Sequence, residues 1–225
     1  MMWNKGDIMF NEPFTLTKVR PIKEGMTISR PALLGKEVPV TWFSLAKDTS
    51  ISPESYDTMT IYIGGHGQGE FVLGEDGKKV EFKENDILVV DPKTLCGTQT
   101  NHGMIYTEII LKKEDFKMNS VIQSGKTMQL KDMISYEEGS IANLDVVHAD
   151  NMKFVLMAFD EGTGLTPHRA PGNAILTALE GKATIGYEGK EYELNEGESF
   201  RFDKNGEHSV TPIGRFKMSL LLVIE

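Results

Sequence analysis

One cysteine, Cys96, stands in a chain of 225 residues, so no disulfide can form within it. A lone thiol suits a reducing compartment, and the cytoplasm is the expected location. Cations are also scarce: 24 Lys and Arg face 33 Asp and Glu, for a formal charge of −9. A phosphate-backbone binder needs clustered cations to displace counterions, so nucleic acid is excluded as a partner. Apolar runs never approach the roughly 18 residues of a membrane-spanning helix, so no membrane partner is expected. From Met1 to Phe14 there is no apolar core of a secretion signal, and Asp7, Glu12 and Pro13 interrupt the stretch. Long helical periodicity is rare. The clearest helix candidate is Thr127–Tyr136, where Leu130, Met133 and Ile134 fall on one side.

What is present is turn and strand chemistry. The 22 glycines separate short Val, Ile, Phe and Tyr runs at spacings of about 8–12 residues, the pattern of an all-β sandwich or barrel. The chain also repeats itself. Phe71-Val-Leu-Gly-Glu-Asp-Gly-Lys-Lys-Val-Glu-Phe echoes Ala183-Thr-Ile-Gly-Tyr-Glu-Gly-Lys-Glu-Tyr-Glu-Leu. A uniform offset of 112 pairs Gly74 with Gly186, Gly77 with Gly189, Lys78 with Lys190 and Asp91 with Asp203. That distance is too long for a solenoid repeat and right for a duplicated domain. Two units are expected, residues 1–115 and 116–225, joined through a polar linker within 112–125. The Gly74–Gly77 and Gly186–Gly189 turns should form equivalent hairpins.

In the second unit, Gly162 is followed after five residues by His168-Arg-Ala170, after three more by Ala174, and after six more by Gly181. Downstream, Gly197 precedes Asp203 by five residues, and His208 lies four beyond Lys204. This resembles the two motifs of the cupin superfamily, Gly, five residues, His-x-His, three or four residues, Glu, six residues, Gly, and then Gly, five residues, Pro-x-Gly, two residues, His. The stretch His168-Arg-Ala170-Pro-Gly-Asn-Ala174 is similar to a signature of small conserved-barrel (cupin 2) proteins of unknown function. The resemblance covers about residues 141–225 and implies two tandem cupin barrels, each a double-stranded β-helix or jelly-roll; the first unit joins it through the duplication, as a degenerate copy.

Family metal sites combine three histidines and a glutamate around a divalent ion. Carried over by position, His168 and His208 are retained, while Ala170 and Ala174 replace a histidine and the glutamate. A methyl group coordinates nothing, and tight sites keep at least three protein ligands. A divalent metal, if bound, is expected at His168 and His208. Asp203, at the motif proline, stands near the mouth. The same offset sets Tyr56, Thr58 and Tyr62 at the first-motif positions of the N-terminal copy and Cys96 opposite His208, which is no usual metal set. Either imidazole is a candidate acid or base for catalysis near neutral pH, but no carboxylate partner can be named, so enzymatic activity is left undecided. Read as a ligand site, the C-terminal barrel offers His168 and His208 on a pocket wall with Ala170, Ala174, Leu176, Phe216 and Met218 around them.

Three functions stay open: a small-molecule-binding bicupin with its site in the C-terminal barrel, a metal-dependent enzyme of the isomerase or dioxygenase type, and a structural barrel. The run Phe154-Val-Leu-Met-Ala-Phe is apolar on both faces, so it should be covered by its own barrel and by a second layer. That layer is either the other unit or a second copy in a homodimer.

Overall fold

A computed structural model describes residues 12–32, 34–36, 38–111 and 116–224. Most of the stretch read for a secretion signal, residues 1–11, and the first part of the expected linker, 112–115, lie outside them. Eight strands build the N-terminal barrel. They are β1 (Thr27–Pro31), β2 (Val40–Leu45), β3 (Thr49–Glu54), β4 (Thr60–Leu73), β5 (Lys78–Lys83), β6 (Asp86–Val90), β7 (Cys96–Thr100) and β8 (Met104–Ile110). Two short strands follow, β9 (Phe116–Met118) and β10 (Thr127–Gln129). The C-terminal barrel then runs through β11 (Ile141–Ala149), β12 (Met152–Phe159), β13 (Leu165–Arg169), β14 (Gly172–Tyr187), β15 (Lys190–Asn195), β16 (Ser199–Phe202) and β17 (Glu207–Ile224). Two tandem jelly-roll barrels are therefore present, and all the strand pairing is antiparallel. Among the described residues no helix is long and apolar enough to cross a membrane.

The expected helix over Thr127–Tyr136 is not formed. Its first three residues pair with β6 as β10, and Leu130–Asp132 make a single 3₁₀ turn. An unpaired edge beside Asp86–Leu88 outweighs helix propensity that is too short to propagate. The two units also exchange strands across the connection: β9 pairs with β11 in the C-terminal sheet, whereas β10, later in the chain, returns to the N-terminal one.

The duplication reappears in the ladders, with one adjustment. Leu73 pairs with Lys78 around a four-residue turn, while Tyr187 pairs with Lys190 around two, Glu188 and Gly189, both at positive φ. Equivalent residues therefore differ by 112 only after the turn, as in 82 and 194 or 96 and 208. Before it they differ by 114, as in 54 and 168 or 62 and 176. Gly74 and Gly186 are not equivalents, because Gly186 lies inside β14 opposite Ser209. The next turn is capped alike in both copies: Asp86 accepts from the Lys83 amide and Glu198 from the Asn195 amide, each at 2.8 Å. Gly67 and Gly181 mark the corner where β4 and β14 cross from one sheet to the other. Each has positive φ, and a Cβ there would stand 2.2 Å from the Gly103 carbonyl oxygen or 2.3 Å from that of Arg215.

Three apolar layers result. One fills each barrel, and the third lies between them, where Trp42, Ile61 and Ile109 meet Phe154, Leu156 and Leu221. The strand apolar on both faces is thereby explained within one chain. Phe154, Leu156 and Ala158 face the other barrel, and Met157 and Phe159 face their own.

Candidate functional site

His168 and His208 are direct cross-strand partners on β13 and β17, with ring centroids 4.2 Å apart. Each Nδ1 lies 2.9 Å from the carbonyl oxygen two residues back, Thr166 and Gly206. A carbonyl only accepts, so each Nδ1 carries the proton and both Nε2 atoms are left as acceptors. His168 is exposed, while His208 is 6% exposed and stacks on Phe202 at 4.1 Å. Burial pushes the His208 imidazole below its ordinary value of 6.5, opposed by the Gly206 carbonyl and reinforced by any charge on His168.

Most of the expected C-terminal lining is packed. Leu176 and Phe216 are 0% exposed and Ala174 and Met218 1%, whereas Leu220, on the same face of β17, is half-buried. Phe159, Phe200 and Phe202 share this cluster: Phe159 meets Phe216, Phe202 meets Tyr187, and Phe200 meets Phe202. Ala170 is half-buried at the edge of this cluster, and Asp203 turns outward to pair with Arg201 at 3.3 Å.

The polar interior belongs to the other barrel. A cavity of about 50 Å³ there is bordered by Tyr56, Tyr62, Cys96, Thr98, Tyr106 and Glu108, with Phe43 and Ile51 beside them and Ser52 and Glu54 at its exposed mouth. The ladders make it the counterpart of the histidine site. Glu54 pairs with Cys96 as His168 pairs with His208, and Ile51 pairs with Thr98 as Leu165 pairs with Val210. Tyr56, two residues after Glu54, thus stands where Ala170 does, and Thr60 where Ala174 does. The uniform offset of 112 had set Tyr56 against His168; the longer turn shifts it by two. Glu54 and Glu108 were missed for related reasons. The offset concealed Glu54, and Glu108 sits outside both motifs. Its signal was a lone acid within Met104-Ile-Tyr-Thr-Glu-Ile-Ile-Leu, on the same face as Met104 and Tyr106.

Glu108 is 7% exposed, and desolvation pushes its carboxyl group up to about 7 from an ordinary 4.5. The Tyr56 hydroxyl donates to it at 3.5 Å, and it and the neighbouring Tyr62 phenol hold the rise in check. Burial likewise raises the Cys96 thiol to about 11, so it is a protonated neighbour that shares a hydrogen bond with Tyr62 and not a reactive thiolate. Tyr56 is raised to about 12, by burial first and by Glu108 and Glu54 next. Phe43 and Tyr106 stack in parallel, 5.0 Å between centroids, and Tyr62 meets Tyr106 edge-on at 5.8 Å.

Neither barrel has a donor set suited to a tightly held divalent metal. The C-terminal one offers two imidazoles beside two methyl groups; the N-terminal one offers a neutral thiol, phenols and carboxyl groups that do not converge. Among the described residues no three His, Cys, Asp or Glu side chains are grouped to hold an ion. A larger groove of about 550 Å³ runs outside the N-terminal barrel. Along it Gln99 donates to Glu70 and Gln129 to Asp86.

Comparison with known proteins agrees with this architecture. Residues 155–224 match the family model described as Cupin domain. A protein of Leptotrichia buccalis described as a cupin 2 conserved barrel domain protein superposes with a TM-score of 0.83 at 27% identity, over 96% of this chain and 98% of that one. Salicylate 1,2-dioxygenase from Pseudaminobacter salicylatoxidans superposes with a TM-score of 0.61 at 12% identity, over 88% of this chain and 75% of that one. At that identity the likeness concerns the fold alone. The curated proteins contain no match to this sequence.

Proposed function

We propose that this chain, which belongs to the cupin superfamily, binds a small polar molecule in its N-terminal barrel, with the Glu108 carboxyl group as the anchor. One observation supports this above the others: a buried carboxyl borders a cavity at the position equivalent to the histidine pair, where the C-terminal barrel carries apolar side chains such as Phe200 and Met218. Keeping an ionisable group there works against stability above neutral pH, as expected of a group retained for binding. Tyr56 and Tyr62 orient the carboxyl group, and Thr98 and Tyr106 add hydroxyls 3.5 Å apart. The cavity has room for one or two waters, so a ligand fills it with a head group and leaves through the mouth at Ser52 and Glu54.

A second reading rests on the two Nε2 acceptors of His168 and His208 at the rim of the C-terminal barrel, which suit a hydrogen-bond donor or a loosely held divalent ion. A melting-shift screen of small polar molecules separates the two. Wild type, Glu108→Gln and the double variant His168→Ala/His208→Ala are compared. Stabilisation lost only in Glu108→Gln supports the N-terminal site. Stabilisation lost only in the histidine variant moves the site to the other barrel.

A further inference from the structure

We infer that the N-terminal cavity selects a cation, specifically the ammonium head of a small primary amine, seated against the Glu108 carboxylate among the hydroxyls of Tyr56, Thr98 and Tyr106. This deepens the proposed function and rests on it.

The case is one of charge and surface chemistry. Among the described residues no Lys, Arg or His borders the cavity, and the ionic partners it offers are Glu108 inside and Glu54 at the mouth. An anionic ligand would meet Glu108 with no compensating cation, at a like-charge cost that burial magnifies. A neutral ligand would gain hydrogen bonds but leave the carboxylate desolvated without a counter-charge. An ammonium group answers both problems, because its three donors can be shared among the carboxylate and neighbouring oxygens. The phenols and Thr98 supply oxygens around the head group, and half-buried Ile51 beside the mouth gives an alkyl tail an apolar surface. A net charge of −9 also draws cations toward the protein.

Cation binding must couple to the protonation of Glu108. The titratable groups facing it are Glu54 from β3, Tyr56 from the segment after β3, Tyr62 from β4, Cys96 from β7 and Tyr106 on its own strand. Of these, the phenols and the thiol stay protonated through pH 9, so the change near pH 7 belongs to Glu108. An ammonium ion binds the ionised form, so its affinity should rise about tenfold between pH 6 and pH 8 for a midpoint near 7.

Calorimetric titration of the full chain with butylammonium, butyrate and butanol tests this. The expected result is binding of butylammonium alone, strengthening about tenfold from pH 6 to pH 8 and weakened at least tenfold, with no pH dependence, in Glu108→Gln. Tyr56→Phe, a milder change, should keep binding but shift the midpoint of the pH profile upward. That profile serves if Glu108→Gln does not fold. Binding of butanol or butyrate that is lost in Glu108→Gln would overturn the amine assignment and leave the N-terminal site standing. Butylammonium binding that is indifferent both to pH and to Glu108→Gln would overturn the assignment too. Absence of binding by all three probes would equally reject the amine, while the polar-molecule screen decides separately on the site.

Discussion

The two barrels share a ladder and differ in what fills it. At the level where β8 or β17 crosses the interior, the N-terminal copy carries Tyr106 and Glu108, and the C-terminal copy carries Met218 and Leu220. On the neighbouring strand Leu88 and Val90 correspond to Phe200 and Phe202. The C-terminal copy carries the larger apolar side chains, Phe200 and Phe202, on β16. The N-terminal copy carries smaller ones on β6, with phenols, a thiol and an acid across from them. A duplicated barrel can thus fill its two interiors differently without changing its hydrogen-bond framework. The apolar layer between the halves holds both in one chain.

Removing the C-terminal filling should have the largest effect. Phe200→Ala takes a fully buried ring out of the aromatic cluster and should destabilise the protein by about 3–5 kcal/mol in urea denaturation. A loss below about 1 kcal/mol would mean that this interior is not tightly packed.

Next comes Glu108. Its carboxyl group is raised from 4.5 to about 7, so the folded state holds more protons than the unfolded state between those values. The associated stability is complete below pH 4.5 and is lost as pH rises through 7, about 3 kcal/mol in all. Glu108→Gln should therefore gain stability over wild type at pH 8 and lose that advantage at pH 4.5. Denaturation midpoints at both pH values check the crossing.

His208 should act in the opposite sense. Its folded value lies below 6.5, so the unfolded state binds more protons in acid. Its contribution is complete above 6.5 and is lost as pH falls below it. In His208→Phe the acid-side loss should diminish, since a ring stacked on Phe202 is retained without the charge. An unchanged acid limb would show that His208 does not titrate with folding.

The smallest effect is expected at His168. It is exposed, so His168→Ala should change stability by no more than about 0.5 kcal/mol. Removing its charge should let His208 titrate at higher pH, a shift that proton NMR of the ring reads directly.

Much of the fold was legible because β-barrels announce themselves locally. Glycine turns, period-two strands and the Gly-Lys repeat each report on a few neighbouring residues, and the cupin spacing ties them together. The two-faced apolar strand at Phe154–Phe159 even foretold a second layer. Side-chain convergence was less legible. Two extra residues in the turn after Leu73 displaced every earlier equivalence, so Tyr56 was matched where Glu54 belongs. Alternation placed Ala174, Leu176, Phe216 and Met218 correctly on the interior face, but a face pointing inward is consistent with either a pocket or a packed core. Only the volumes of Phe159, Phe200 and Phe202, brought together across strands, decide between them. Glu108 was hidden because its neighbours in space, Tyr56, Tyr62 and Cys96, lie on other segments.

The division of labour between barrels is tested most directly by mapping butylammonium onto the protein with heteronuclear NMR at pH 8. The account predicts shift changes centred on Glu108, Tyr62, Tyr106 and Cys96, fading across the layer between the barrels. Changes centred instead on His168, His208 and Phe202 would contradict it.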